Sequence, residues 1–222
     1  LYLAWYVYDT QSRPVWYSAM LTQAGDSYSG DLMEVTKGWP LSEKQPTPLE
    51  QQKVGTVSLS FTSSTAGSLS YALLAPGYDT QPRQKTLTIF MTDERYPGSA
   101  DSTRTGWWFD PTYDGMGLFW EIKGDSLYGA WFNYRDDGTP RWWTFGGDTG
   151  NFPSGTVSFA GDLKEYTGTG TLNAAPLLPH AAKPETRTET KAGTISLRFR
   201  ADDKVDMLWD STHAFTLQRY TF

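Results

Sequence analysis

"LYGAWFNYRDDGTPRWW", residues 127–143, matches "LYLAWYVYDTQSRPVWY", residues 1–17, at a constant spacing. Leu1, Trp5, Tyr8, Pro14 and Trp16 fall on Leu127, Trp131, Tyr134, Pro140 and Trp142. Further along, "SYSG" from Ser27 matches "EYTG" from Glu165, and "GTVSLSF" from Gly55 matches "GTISLRF" from Gly193. Matches in the same order at three separated places argue for tandem duplication. The later pairs are spaced more widely than the first, which implies an insertion in the second copy, placed most simply in "GNFPSGTVSFAG". Before the second copy stands "GWWFDPTYDGMGLFWEI", residues 106–122, and nothing like it precedes the first.

Each copy reads as a run of antiparallel strands. Residues 118–123 and 127–134 are joined by "GDS", a hairpin connection. Residues 134–142 turn through "RDDGTP", where Gly138 supplies a positive φ and Pro140 restarts the chain. The first copy uses "DTQSRP" there. Val57, Leu59 and Phe61 alternate with Ser58 and Ser60, the period of two expected for one buried face. Ile195, Leu197 and Phe199 repeat this pattern, and further strands are expected at 205–210 and 215–222. No stretch holds an apolar period of 3.6, so helix is expected to be minor. Two Pro-rich polar segments, 36–53 and 173–192, read as long loops. The expected fold is all-β: two tandem antiparallel meander repeats, each a barrel or curled sandwich, the first lacking its initial strands. Residues 1–92 form the first repeat, 93–105 a polar linker with little to pack, and 106–222 the second repeat. The simplest account of the first copy is that a matching segment once preceded Leu1. The alternative is strand donation by a neighbouring chain.

Composition narrows the function classes. Ten Trp, 13 Tyr and 11 Phe in 222 residues make the apolar content unusually aromatic, which with 21 Gly favours strands and tight turns. A net charge of −6 with no basic patch argues against nucleic acid. The absence of Cys excludes disulfides, thiolate metal sites and cysteine nucleophiles. No apolar run approaches the roughly 20 residues of a membrane helix. The chain starts inside an apolar pattern without Met, as expected where upstream residues have been removed.

The succession "GWWFDP…GMGLFWEI", "AWFNYRDDGTPRWW", "YTGTG", "GTISLRF" and "FTLQRYTF" resembles a tryptophan-rich repeat common in secreted proteins of Gram-negative bacteria. That family has a GxW(Y/F)(D/N)P…GxG start, a WYxYDxxGxPxW centre and a GTxxLxF strand. The resemblance covers the second copy fully and the first without its start. It implies export and a secreted or cell-surface location, and no established activity. The first copy departs from the pattern in having "DTQSRP" where Gly usually occupies the turn.

Chemistry-bearing motifs are sparse. Asp110, Thr112, Asp114, Gly115 and Glu121 outline a calcium loop, but Thr112 and the aromatic strand flanks depart from one, and a turn is the expected reading. Glu121, Asp110 and Asp136 are candidate carboxylates for glycoside hydrolysis. His180 and His213 lack partner motifs, and GxSxG and HExxH are absent. "GDTGNFPSG" lacks the Lys-Ser/Thr ending of a phosphate loop. No catalytic residue, metal or cofactor is assigned.

The aromatic residues remain. Trp107–Trp108 and Trp142–Trp143 are adjacent, so in regular strands one member of each pair faces outward. Trp142 matches Trp16, which marks it as the core member; Trp143 and Tyr17 then look outward. With Trp107, Trp39 and Tyr113 they form the candidate binding face. The competing reading is that packing between the repeats buries these rings. The expected function is a non-enzymatic extracellular binding or assembly module engaging protein partners, with self-association through the open edge of the first repeat. The alternatives are a carbohydrate-binding module for a polysaccharide and, last, a glycan-active hydrolase.

Overall fold

Alternating apolar and polar residues give strands one buried face each, and fifteen such strands, with no helix, make up the described part of the chain. The computed structural model describes residues 1–8, 13–42, 49–74, 81–113, 115–149, 158–167 and 188–221. The first repeat supplies β1 (Tyr2–Tyr8), β2 (Pro14–Met20), β3 (Thr22–Ala24), β4 (Ser27–Lys37), β5 (Glu50–Phe61), β6 (Ala66–Leu73) and β7 (Arg83–Thr88). These pair in the order β1-β2-β4-β5-β6-β7, with β3 attached to β4, in an open sheet. The second repeat supplies β8 (Gly106–Phe109), β9 (Gly117–Lys123), β10 (Ser126–Tyr134), β11 (Pro140–Asp148), β12 (Ser158–Thr167), β13 (Thr188–Phe199), β14 (Lys204–Trp209) and β15 (His213–Arg219). They close into an eight-stranded barrel, all neighbours antiparallel.

The two sheets share one register. Leu59 pairs with Leu69 on β5 and β6 as Leu197 pairs with Met207 on β13 and β14. Leu32 faces Gly55 just before a register shift, and Leu163 faces Gly193 just before another. Ser18 pairs with Met33 as Thr144 pairs with Lys164. So β1, β2, β4, β5, β6 and β7 correspond to β10 through β15; the short β3 has no counterpart among the described residues of the second repeat, and the segment at 106–122 supplies the barrel's two added strands, β8 and β9.

This register corrects one detail of the repeat. The partner of "SYSGDLMEVT", 27–36, is "SFAGDLKEYT", 158–167, and not the "EYTG" that begins at Glu165. The extra residues of the second copy are therefore divided between the β11–β12 and β12–β13 connections. The segment 150–157 and residues 173–187 of the second expected loop, 173–192, lie outside the described residues, and its end at 188–192 is not loop but the start of β13. The first expected loop is shorter than its composition suggests, because β4 and β5 stay paired out to Lys37 and Glu50.

Three apolar clusters hold the molecule. One fills the barrel, around Trp108, Trp120, Trp131, Trp143 and Phe145. A second covers the inner face of the open sheet, around Tyr17, Leu32, Val57 and Tyr71. The third lies between the sheets, around Trp16, Val35, Met116, Tyr134 and Trp142. The linker also packs, contrary to expectation. The Arg104 carbonyl accepts hydrogen bonds from the indoles of both Trp108 (3.3 Å) and Trp120 (2.8 Å). Asp101 caps the turn through Thr103 and Arg104, and Arg219 donates to the Ser102, Thr103 and Thr105 carbonyls. That clamp reinforces the short β15–β8 ladder, in which Gln218 pairs with Phe109 and Arg219 with Trp108.

Candidate functional site

Where two sheets meet, each strand at the contact must be apolar on both faces. β1, β2, β10 and β11 meet that condition. Their inward rings belong to the two sheet cores, and their outward rings build the seam. Trp16 packs on Phe132 (5.1 Å) and Tyr134 (6.4 Å), while Trp142 packs on Tyr6 (5.8 Å) and Tyr8 (5.5 Å). Tyr6 and Tyr8 are the repeat counterparts of Phe132 and Tyr134. Each repeat thus offers its Trp to the same two positions of the other, the reciprocal contact pattern of a two-fold interface. The indole N–H groups break the symmetry. Trp142 donates to the Val7 carbonyl (3.1 Å), whereas the buried Trp16 Nε1 has no partner among the described residues.

Loops lock the seam at one end. The Gly38 N–H donates to the Gly138 carbonyl (3.0 Å), and Ser42 Oγ donates to Asp136 (2.8 Å). Gly138 has φ 79°, as its turn requires. Gly38 is required for another reason: a Cβ there would lie 2.1 Å from the Tyr134 ring. Tyr134 is itself fixed by its hydroxyl, which donates to the Gly115 carbonyl (2.7 Å).

The expected aromatic face is redistributed. Trp143 is only 2% exposed and points into the barrel, where its Nε1 donates to Glu165 Oε2 (3.1 Å) and the Arg141 guanidinium lies 4.1 Å from its ring. Tyr17 is 3% exposed in the core of the open sheet, edge-on to Trp5. The outward assignment of both residues is therefore reversed. Strand alternation does place the neighbours on opposite faces, but the ring repeated in both copies, Trp16 and Trp142, is the one that builds the seam. Trp39 is buried against Tyr113 (4.8 Å), which rests on Phe215 (5.1 Å) at the barrel rim. Trp107 is half-buried, with Tyr2 of the first sheet edge-on at 5.0 Å. Of the five candidates, Trp39 and Tyr113 meet each other, and Trp107 lines a cleft.

Two clefts flank the seam. One, of about 230 Å³, lies among Tyr2, Trp16, Trp107, Phe132 and Tyr220. The other, of about 380 Å³, lies among Tyr6, Phe119, Tyr128, Trp142 and Tyr166, with Glu121 in its wall. Burial raises the Glu121 carboxyl above the ordinary glutamate value, and Lys123 partly offsets this. Asp110 lies elsewhere. Its two oxygens accept the N–H groups of Thr112 (2.9 Å) and Thr216 (3.0 Å), which ties the β8–β9 turn to β15. Asp136 is bonded to Ser42, so the three candidate hydrolase carboxylates face different neighbours: Asp110 the β15 backbone, Glu121 the seam cleft and Asp136 a loop of the first repeat. Asp114 and His180 lie outside the described residues, and His213 stacks on Trp209 (4.7 Å).

Sequence reasoning missed a polar network inside the barrel. Asn133 is fully buried, and its Oδ1 accepts from Arg141 Nε (2.6 Å). Glu165 accepts from Trp143 and lies 3.7 Å from Arg135. Burial pushes Arg141 below its ordinary value, against the pull of Glu165. The signal was present: Asn133 and Arg141 occupy the positions that Val7 and Val15 hold in the first repeat. Comparison of the chain with family models, curated protein sequences and solved structures returned no match.

Proposed function

We propose that this chain is a non-enzymatic binding and assembly module of the cell exterior, engaging a protein partner by strand addition to its open first sheet. One observation carries the reading: β1 and β7 have no outer neighbour among the described residues, whereas their counterparts β10 and β15 are bridged by β8 and β9. Those two strands bring Trp108, Leu118, Trp120 and Ile122 into the barrel interior. The first sheet has the same inner face without that cover. Trp5 is half-buried where Trp131 is 2% exposed. An unpaired edge beside an apolar face favours β-augmentation. The matching partner is a hairpin of the β8–β9 kind, with alternate aromatic residues turned inward. Placement outside the cell rests on the resemblance of the repeats to secreted proteins.

The test uses a peptide of residues 106–123 carrying a photo-crosslinker. It should attach to β1 or β7 of the intact protein, and a scrambled peptide should not. Crosslinks confined to the barrel, or equal labelling by the scrambled peptide, would refute strand addition.

A further inference from the structure

The larger seam cleft lies over small residues, Ala130 at its centre with Gly129 beside it. Ala130 pairs with Phe119 on β9 and with Thr144 on β11, at the middle of the outward layer. One row away Tyr128 stands beside Glu121; on the other side Phe132 stands beside Trp142. A methyl group in the middle of larger side chains leaves a well. Tyr6 of the first sheet overhangs it, edge-on to Trp142, and Phe90 forms the rim against Tyr128 (4.4 Å).

Tyr166 in the wall is bonded to Glu189 (2.8 Å), but two polar groups of this well are left over. The Glu121 carboxyl is half-buried and makes no hydrogen bond among the described residues. Lys123, the cation that acts on it, commits its ammonium group to the Met91 carbonyl (3.0 Å) and to Asp93. The Tyr6 hydroxyl is buried with no partner among the described residues. A partly desolvated carboxylate is costly unless a cation meets it. Ring faces attract cations through their quadrupoles. At the rim this chemistry is already in use, since the Arg95 guanidinium lies 5.9 Å from the Phe90 ring and 5.4 Å from that of Tyr96. A neutral sugar would use the rings and leave the carboxylate without a counter-ion. The net charge of −6 also favours a cationic ligand.

We propose that the cleft over Ala130 binds an organic ammonium ion of about choline size, held between aromatic faces with Glu121 as its counter-ion. The site needs both repeats, because Tyr6 comes from the first and Glu121, Tyr128 and Trp142 come from the second. Tyr6 belongs to β1, but the cleft uses its ring and not the unpaired backbone edge of that strand, so the two proposals can fail independently.

The test titrates the intact protein with choline and with 3,3-dimethylbutanol, a neutral molecule of similar shape, following tryptophan fluorescence and NMR shifts. Choline should bind, and the neutral analogue should bind roughly tenfold more weakly, the ratio expected of about 1–2 kcal/mol of cation–π and charge attraction. Glu121→Gln should weaken choline binding by several-fold, shrinking that preference to what the ring faces supply, while leaving the analogue's affinity unchanged. Ala130→Leu should abolish binding of both by filling the well, with thermal melts checking that each variant is folded. Equal affinity for the two molecules, choline affinity unaffected by Glu121→Gln, no choline binding at millimolar concentration, or binding of a neutral disaccharide in place of choline would each overturn the proposal.

Discussion

The barrel and the open sheet are two outcomes of one repeat. Six strands correspond in order and register; besides the short β3 on β4, the difference between the sheets is the β8–β9 pair. In the barrel, Trp131 meets Trp143, Trp209 and Phe215 of the shared strands, and the added pair sets Leu118 of β9 beside it. Without that pair, Trp5 meets Tyr17 and Tyr71 and stays half-buried. Closing a meander therefore does more than add strands. It completes the enclosure of rings that the other six already place, and it removes both edges. The open sheet offsets part of its deficit at the seam, where its outward rings bury against the barrel.

The largest effects should come from the barrel interior. Trp131→Ala and Trp143→Ala should each cost about 3–5 kcal/mol in denaturant unfolding, as expected for truncating an enclosed ring. Trp5→Ala should cost distinctly less, because less of its surface is buried. Equal losses at Trp5 and Trp131 would mean that the first sheet is covered as fully as the barrel.

The seam comes next and sharpens the comparison. Trp142→Ala should destabilise more than Trp16→Ala, since only Trp142 has a partner for its indole N–H. A double-mutant cycle between Trp142 and Tyr6 should show about 0.5–1.5 kcal/mol of coupling. The repeat-matched cycle between Trp16 and Phe132 should give a similar value. Coupling in one cycle alone would break the two-fold description of the seam.

A smaller effect concerns closure at the linker. Arg219→Gln removes a clamp on three carbonyls at an exposed position and should cost about 1 kcal/mol. The smallest is electrostatic. Desolvation at Asp101 raises its pKa, but the hydrogen bonds from Thr103 and Arg104 outweigh this and hold it below the ordinary value. The unfolded chain therefore binds this proton more readily, so the contribution is present above the ordinary carboxylate pKa of about 3.9 and lost as pH falls through the depressed folded value. Asp101→Asn should flatten that part of the acid-denaturation profile.

Much of this architecture was legible in the sequence, for identifiable reasons. Repeat matches such as Trp5 to Trp131 and Gly55 to Gly193 exposed the duplication, and the unmatched segment at 106–122 exposed the two-strand difference. The alignment slipped at "EYTG" because two separate insertions mimic a single one, and only the register shift at Leu163 reveals where β12 belongs. Alternation separated Trp142 from Trp143, yet it has no sign where both faces of a strand are buried. Repetition of a ring between copies indicated a shared environment, and that environment was the seam. The Asn133–Arg141–Glu165 network went unread because its members are far apart in sequence and look ordinary one at a time.

Hydrogen exchange of the intact chain tests the central claim most directly. The β10 amides facing β9 should be protected to nearly the free energy of global unfolding, while the matched amides on the outer edge of β1 should exchange orders of magnitude faster. Equal, high protection on the β1 edge would contradict the account, because it would mean that the first sheet is closed.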